Sequence, residues 1–156
     1  IRSCLVGSEM CIRDRMSSRY LDDEASTSQL GYEIAEEIQK DNNDFEIHLY
    51  GELGTGKTFL TKAVLKALGY HEIVKSPTYT LCEEYETSKF LCLHADLYRL
   101  ENSQEVDVLD LDRVADRRKI IIIEWPNLVA SRRNPNLEIH LKHEDSGRSV
   151  KVEQKK

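Results

Sequence analysis

The sequence predicts an α/β fold with a central mixed, largely parallel sheet, helices flanking it and a hairpin at its end. Three observations carry this. From Met16 onward, helical and strand patterns alternate with no linker, repeat or low-complexity tract between them. Ile120–Ile123 sets four β-branched residues in a row, too short and too uniformly apolar for a surface element, as in a parallel-sheet strand covered on both faces. A glycine-rich turn at residues 51–58 lies between a strand pattern and a helix pattern. The 156 residues give room for one domain, expected over residues 16–156, and 40% hydrophobic with 32% charged residues excludes collagen-like, low-complexity and grossly disordered chains. No apolar run approaches the roughly 18 residues of a membrane span.

Residues Ile1–Arg15 do not read like the start of a domain. They show no period of 2 or 3.6, and MCIRDR (Met10–Arg15) resembles one reading frame of a sequencing-library adapter. The expectation is a non-native leader and a native start at Met16. Ser26-Thr27-Ser28-Gln29 offers a capping box, after which Leu30, Ile34 and Ile38 mark one apolar helix face. Asp41–Asp44 is a turn cluster, and Phe45, Ile47 and Leu49 alternate with polar residues as a strand does. Lys57–Leu68 reads as a helix ended by Gly69, and Phe90–Leu97 as a strand. Ser103–Asp116 reads as an acidic amphipathic helix with Val106, Leu109 and Val114 inward, and either docking on a basic protein surface or plain solvation fits its charge. Leu137–Lys142 and Ser149–Glu153 flank a turn at Asp145-Ser146-Gly147, the terminal hairpin.

Charge and cysteines narrow the setting. Lys+Arg 22 against Asp+Glu 28 gives a net charge of −6, which disfavours a nucleic-acid binder held by general electrostatics, although a local basic patch stays open. Cys4, Cys11, Cys82 and Cys92 form no CxxC pair, and with no secretory signal the reading is free thiols in the cytoplasm.

Gly51-Glu52-Leu53-Gly54-Thr55-Gly56-Lys57-Thr58 matches GxxxxGK[ST] in full. Glycines let backbone N–H groups approach phosphate oxygens, and the following helix aims its positive end at the same anion. Lys57 supplies a point charge to the β/γ-phosphates, and the Thr58 hydroxyl is a Mg²⁺ ligand. Glu124 closes the Ile120–Ile123 strand, where a carboxylate would sit beside that Mg²⁺. Asp96, ending the other strong strand, is the candidate general base. Arg99 either faces phosphate or pairs with an acid, and His94 reads as a packed or surface histidine. Ser76–Leu81 reads equally as a switch segment touching the γ-phosphate or as a turn. His48, His71, His140 and His143 lack metal-ligand spacing, and Cys82 and Cys92 read as core thiols.

Together these residues resemble the TsaE (YjeE) family of bacterial P-loop ATPases. The likeness runs from about Thr27 to Arg148 through Thr27–Gly31, the P-loop, Ser76-Pro77-Thr78-Tyr79, His94–Leu100 and Glu124-Trp125-Pro126, with Gly147-Arg148 a weaker match. The resemblance implies a P-loop NTPase fold and an ATPase subunit of the machinery that places threonylcarbamoyl on adenosine 37 of tRNA. It would support turnover of a TsaB–TsaD pair and meet tRNA only through that complex, with no membrane association. It also implies that Thr58 and Glu124 hold Mg²⁺ and that Gly51, Gly54, Thr55, Gly56, Lys57 and Thr58 bind ATP. Lys57, Asp96 and Glu124 would serve hydrolysis, Thr27 would lie near the adenine, and Arg148 joins the nucleotide-binding candidates. Trp125 fits packing beside the nucleotide or a plain core role. The alternative is a small-molecule P-loop kinase, which needs arginines on a lid; only Arg117-Arg118 and Arg132-Arg133 are adjacent pairs past Met16. A regulatory GTPase is disfavoured, because no Asn is followed by Lys.

Overall fold

The computed structural model describes residues 16–155, so the expected leader, with Cys4 and Cys11, lies outside the described residues. Seven strands form one sheet: β1 (Met16–Leu21), β2 (Phe45–Tyr50), β3 (Cys82–Glu86), β4 (Phe90–Asp96), β5 (Arg118–Glu124), β6 (Leu137–His143) and β7 (Arg148–Gln154). Their spatial order is β1-β7-β6-β2-β5-β4-β3. The centre, β6-β2-β5-β4, is parallel, whereas β3 pairs antiparallel with β4 at one margin and β7 and β1 pair antiparallel at the other. A parallel centre places the carboxyl ends of β2, β4 and β5 at one edge, where open α/β sheets bind ligands.

Helices α1 (Glu24–Lys40) and α2 (Lys57–Ala67) cover one face, packing Leu30, Ile34, Ile38, Leu60, Val64 and Leu65 on Ile47, Leu49, Ile120 and Ile122. Ile121 and Ile123 point to the opposite face, where Val106, Leu111 and Val129 bury them. The isoleucine run is thus split two and two by the strand's period and is covered on both sides, as its uniform apolarity predicts. The two helices come close: a Cβ on Gly31 would stand 2.5 Å from the Ala63 Cβ, so glycine permits this approach. No helix among the described residues is long and apolar enough to cross a membrane.

Local predictions fail in instructive places. Helix α1 starts before the expected Ser26 box. Asp23, extended at φ −150, accepts from the Ser26 amide at 2.8 Å and caps the helix, while the Ser26 hydroxyl donates to the same carboxylate at 2.7 Å. The predicted helix over Ser103–Asp116 shrinks to α3 (Ser103–Asp107). Asn102 caps its start, but Asp110 takes φ 48, which ends helical propagation, and Leu111 rather than Val114 turns into the core. Val114, expected inward, is 98% exposed. Strands β1 and β3 carry no apolar alternation that would announce them. Arg19 of β1 points at α1 and pairs with Glu33, with Nη1 3.0 Å from Oε1.

A charged network ties α3's trailing segment to β2. Arg133 donates to Glu46 at 2.8 and 2.7 Å and to Asp112 at 2.8 and 2.9 Å, and the buried His48 Nε2 lies 2.7 Å from Glu46 Oε1. Burial alone would raise the Glu46 carboxyl pKa, but the His48 and Arg133 hydrogen bonds outweigh it and hold it below its ordinary range. Arg133 also lowers Asp112. A carboxylate depressed on folding stabilises above its unfolded value, and that contribution disappears as pH falls through the folded value. The denaturation midpoint should therefore drop as pH falls below about 4.5. Arg133→Gln should be less stable at neutral pH and show a shallower acid decline, as read by urea unfolding across pH.

Candidate functional site

Each candidate group sits where an element ends. The glycine-rich loop leaves β2 and enters α2; Glu124 is the last residue of β5, and Asp96, its register partner, the last of β4. The loop's course depends on glycine at two points. Gly51 has φ 149, and a Cβ there would fall 2.5 Å from the Leu141 carbonyl oxygen. Gly56 has φ 96 at the N-cap of α2, and a Cβ there would collide with Nη1 of Arg148. That arginine, at the start of β7, donates to the Thr55 carbonyl at 3.2 Å, so the terminal hairpin braces the loop from outside. His143 Nε2 lies 3.2 Å from the Leu53 carbonyl on the same side.

Lys57 is buried, and its ammonium donates to the Gly51 and Glu52 carbonyls at 2.7 and 2.9 Å. It also lies 4.3 Å from the centroid of the Trp125 ring, a cation–π arrangement. Burial lowers the Lys57 pKa, and the Glu124 and Asp96 charges oppose that shift. Trp125 adopts φ 56 directly after β5 and donates its amide to the Leu49 carbonyl at 3.2 Å, which ties its backbone to the strand that leads into the loop. Its ring meets Tyr98 at 4.7 Å. Trp125 packs beside Lys57 at the loop and belongs to neither core cluster.

Behind Lys57, the Thr58 hydroxyl donates to Glu124 Oε1 at 2.9 Å, and His94 Nε2 lies 2.8 Å from the same oxygen. Asp96 Oδ1 accepts from the Tyr98 amide at 2.9 Å, which fixes the carboxylate's orientation. Burial raises the Asp96 pKa, helped by neighbouring Glu124 and opposed by the Tyr98 hydrogen bond, Lys57 and His94, so the group is more basic than an exposed aspartate. The Thr78 hydroxyl stands 3.5 Å from Asp96 Oδ2, and the Asp96 amide donates to the Leu81 carbonyl at 2.9 Å, so the Ser76–Leu81 loop lies against this corner.

The fold thus brings Lys57, Thr58, Asp96, Glu124 and Trp125 together, with Gly51, Gly54, Thr55, Gly56 and Arg148 around the loop. Thr27 stands apart in its bonding: fully buried in the first turns of α1, its hydroxyl donates to the Asp23 carbonyl at 3.2 Å. Arg99 is exposed over the Tyr79 ring at 5.5 Å. His94 is packed, as one of its two sequence readings had it, but its bond to Glu124 was not foreseen. The available signal was the strand period, which puts His94 on the same face as Asp96, two residues away.

Among the described residues no cluster of three or more His, Cys, Asp or Glu side chains is arranged to hold a metal ion. Mg²⁺ does not require one, since it takes one or two protein oxygens and completes its shell with phosphates and water. The hard-oxygen pair of Thr58 and Glu124 fits that donor set.

A phosphate-binding loop between a buried strand and a helix, with an acid closing the adjacent parallel strand, defines the P-loop NTPase class. Comparison with known proteins narrows the class: a model of "Threonylcarbamoyl adenosine biosynthesis protein TsaE" matches residues 21–151. The chain belongs to the TsaE family. Similar relatives carrying the name tRNA threonylcarbamoyladenosine biosynthesis protein TsaE include one from Haemophilus influenzae, 38% identical over 110 residues that cover 69% of this chain and 70% of that protein. Another, from a Nostoc species, is 35% identical over 138 residues, 86% of this chain and 83% of that one. The crystal structure of Bacillus subtilis YdiB shares the fold, with a TM-score of 0.69 at 23% identity over 89% of this chain and 85% of its own.

Proposed function

We propose that the chain is the ATPase subunit of the machinery that makes threonylcarbamoyladenosine at position 37 of tRNA. In this reading it hydrolyses ATP with Mg²⁺ in the cytoplasm to support turnover of a TsaB–TsaD pair, and it meets tRNA only through that complex. The observation that carries the reading is the Thr58–Glu124 hydrogen bond beside Lys57 and Asp96, set at one sheet edge in a member of the TsaE family. Bound Mg²⁺ supplies positive charge against the phosphate oxygens as charge shifts to the leaving group.

Every other part falls to the chain. The amides of Gly51, Gly54, Thr55 and Gly56 with the α2 N-terminus cradle phosphate, and Lys57 turns its ammonium from loop carbonyls to phosphate oxygens. Thr58 and Glu124 hold the metal. Asp96, made more basic by burial, orients the attacking water and takes its proton. Arg148, already against Gly56, adds charge beside the cradle. Trp125 packs over Lys57, and Thr27 is buried in the first turns of α1 rather than exposed to adenine.

The kinase alternative loses its lid candidates. Arg132 and Arg133 are held by Asp107, Glu46 and Asp112, Arg117 by Asp116, and Arg118 by the Ile38 and Asn43 carbonyls.

The test is ATP hydrolysis by the chain starting at Met16, titrated with a TsaB–TsaD pair, with Lys57→Ala as the blank. The expected result is a slow basal rate that climbs and saturates with the pair. A rate indifferent to the pair would contradict the proposed partnership, and phosphate transfer to a small acceptor would favour the kinase.

A further inference from the structure

His94 is fully buried, and it is attached to the site at one atom. Its Nε2 lies 2.8 Å from Glu124 Oε1, the same oxygen that accepts from the Thr58 hydroxyl at 2.9 Å. Its Nδ1 is also buried and has no hydrogen-bond partner among the described residues. A carboxylate only accepts hydrogen bonds, so Nε2 carries a proton and donates it to Glu124, while Nδ1 is left without a partner. Leaving Nδ1 unpaired in the interior costs free energy that a packed leucine would not incur. The compensating gain is the bond to Glu124.

The surrounding structure leaves the ring little freedom. His94 lies within β4, register-paired with Ile122 of β5, and β4 is buried along its whole length. Tyr85 of β3 stands against the ring at 6.4 Å between centroids, and Tyr85 is itself held by hydrogen bonds with the backbone of Lys75, 3.2 Å from its amide and 2.9 Å to its carbonyl. Glutamate has three flexible side-chain torsions, and Glu124 ends its strand at the edge of the sheet. The imidazole and the Thr58 hydroxyl therefore meet at one oxygen, and of these two side chains only the imidazole is fully buried.

We propose that His94 is a positioning residue: its Nε2–H fixes the rotamer of Glu124, so that the carboxylate is presented beside Thr58 in the orientation that Mg²⁺ with nucleotide requires. This rests on the nucleotide-site reading above and assigns His94 a part in it that neither its position in the strand nor its burial implies. Groups that orient a metal-ligating carboxylate cost about 10- to 100-fold in metal affinity when removed, without touching the metal.

The experiment measures ADP binding by the full chain as a function of Mg²⁺ concentration and, separately, in EDTA, with Trp125 fluorescence as the signal. For His94→Leu we expect the Mg²⁺ concentration giving half-maximal binding to rise about 10- to 100-fold, with metal-free ADP affinity within about twofold of wild type. His94→Gln, whose amide nitrogen reaches where Nε2 stands, should recover most of that loss. His94→Asn, too short to reach Glu124, should not, and it covers the case in which leucine prevents folding. In the unsubstituted protein, ¹⁵N spectra of the His94 ring should show a proton on Nε2.

An unchanged Mg²⁺ dependence in both His94→Leu and His94→Asn would overturn the proposal while leaving the nucleotide site standing. So would equal losses with and without Mg²⁺, which mark a general packing role, or an Nδ1–H tautomer. ADP binding by wild type that is indifferent to Mg²⁺ would likewise overturn the proposal alone, whereas failure of wild type to bind ADP at all would remove the nucleotide-site reading and this proposal together.

Discussion

Replacing Asp96 by alanine should lower ATP hydrolysis about 10²- to 10⁴-fold, the span general-base catalysis contributes, while nucleotide affinity stays within a few-fold of wild type. The reason lies in how the carboxylate is held. It ends β4 beside Glu124, its Oδ1 is fixed by the Tyr98 amide, and it makes no bond to the loop that cradles phosphate. Removing it takes away a basic group without loosening Lys57, whose bonds run to Gly51 and Glu52. Asp96→Asn separates the two duties of the side chain. An asparagine can still accept from the Tyr98 amide, so local geometry survives, but the amide cannot take a proton. Equal loss of hydrolysis in both variants, with ADP affinity preserved, would assign Asp96 to the chemical step. Affinity falling as far as it does in Lys57→Ala would contradict this division of labour.

The residues that carry this proposed division are legible in the sequence because their signals are local. The loop's spacing marks the cradle without any knowledge of the fold, and Glu124 and Asp96 are marked by ending strongly apolar strands. What could not be read is the pairing that makes these residues one site. The Thr58–Glu124 bond spans 66 positions and depends on β2 and β5 being neighbours, which strand order alone decides. His94 illustrates the limit well. The strand period puts His94 on the face of Asp96, but its bond to Glu124 exists only because β4 lies parallel to β5 in that register. The long helix expected over Ser103–Asp116 failed for a related reason. Its helical spacing is genuine, but Arg132 and Arg133, remote in sequence, draw Asp107 and Asp112 to themselves, and Leu111 fills the core in place of Val114. Strand β1, with Ser17 and Arg19 on its covered face, has no apolar alternation to read; tertiary pairing with β7 and Glu33 determines it.

Lys57→Ala carries the other large expected effect, and it falls on binding. Truncating a buried, hydrogen-bonded charge costs about 2–5 kcal/mol, or roughly 30- to several-thousand-fold in Kd for ATP or ADP. Folding should suffer far less. The ammonium is buried against carbonyls and an aromatic face, and burial lowers its pKa, so the protein holds this charge at a desolvation cost that alanine does not incur. An unchanged melting temperature together with the loss of affinity would place the effect at the phosphates. Lys57→Arg should not rescue it, because a planar guanidinium needs more room than the space between Gly51, Glu52 and the Trp125 ring provides for an ammonium. Trp125, the sole tryptophan, supplies the direct readout. If nucleotide draws Lys57 away from the ring, its emission changes on ADP addition in wild type and not in Lys57→Ala. Emission that responds equally in both would mean that the lysine stays on Trp125 and that the phosphates are held by the loop amides and Arg148 instead.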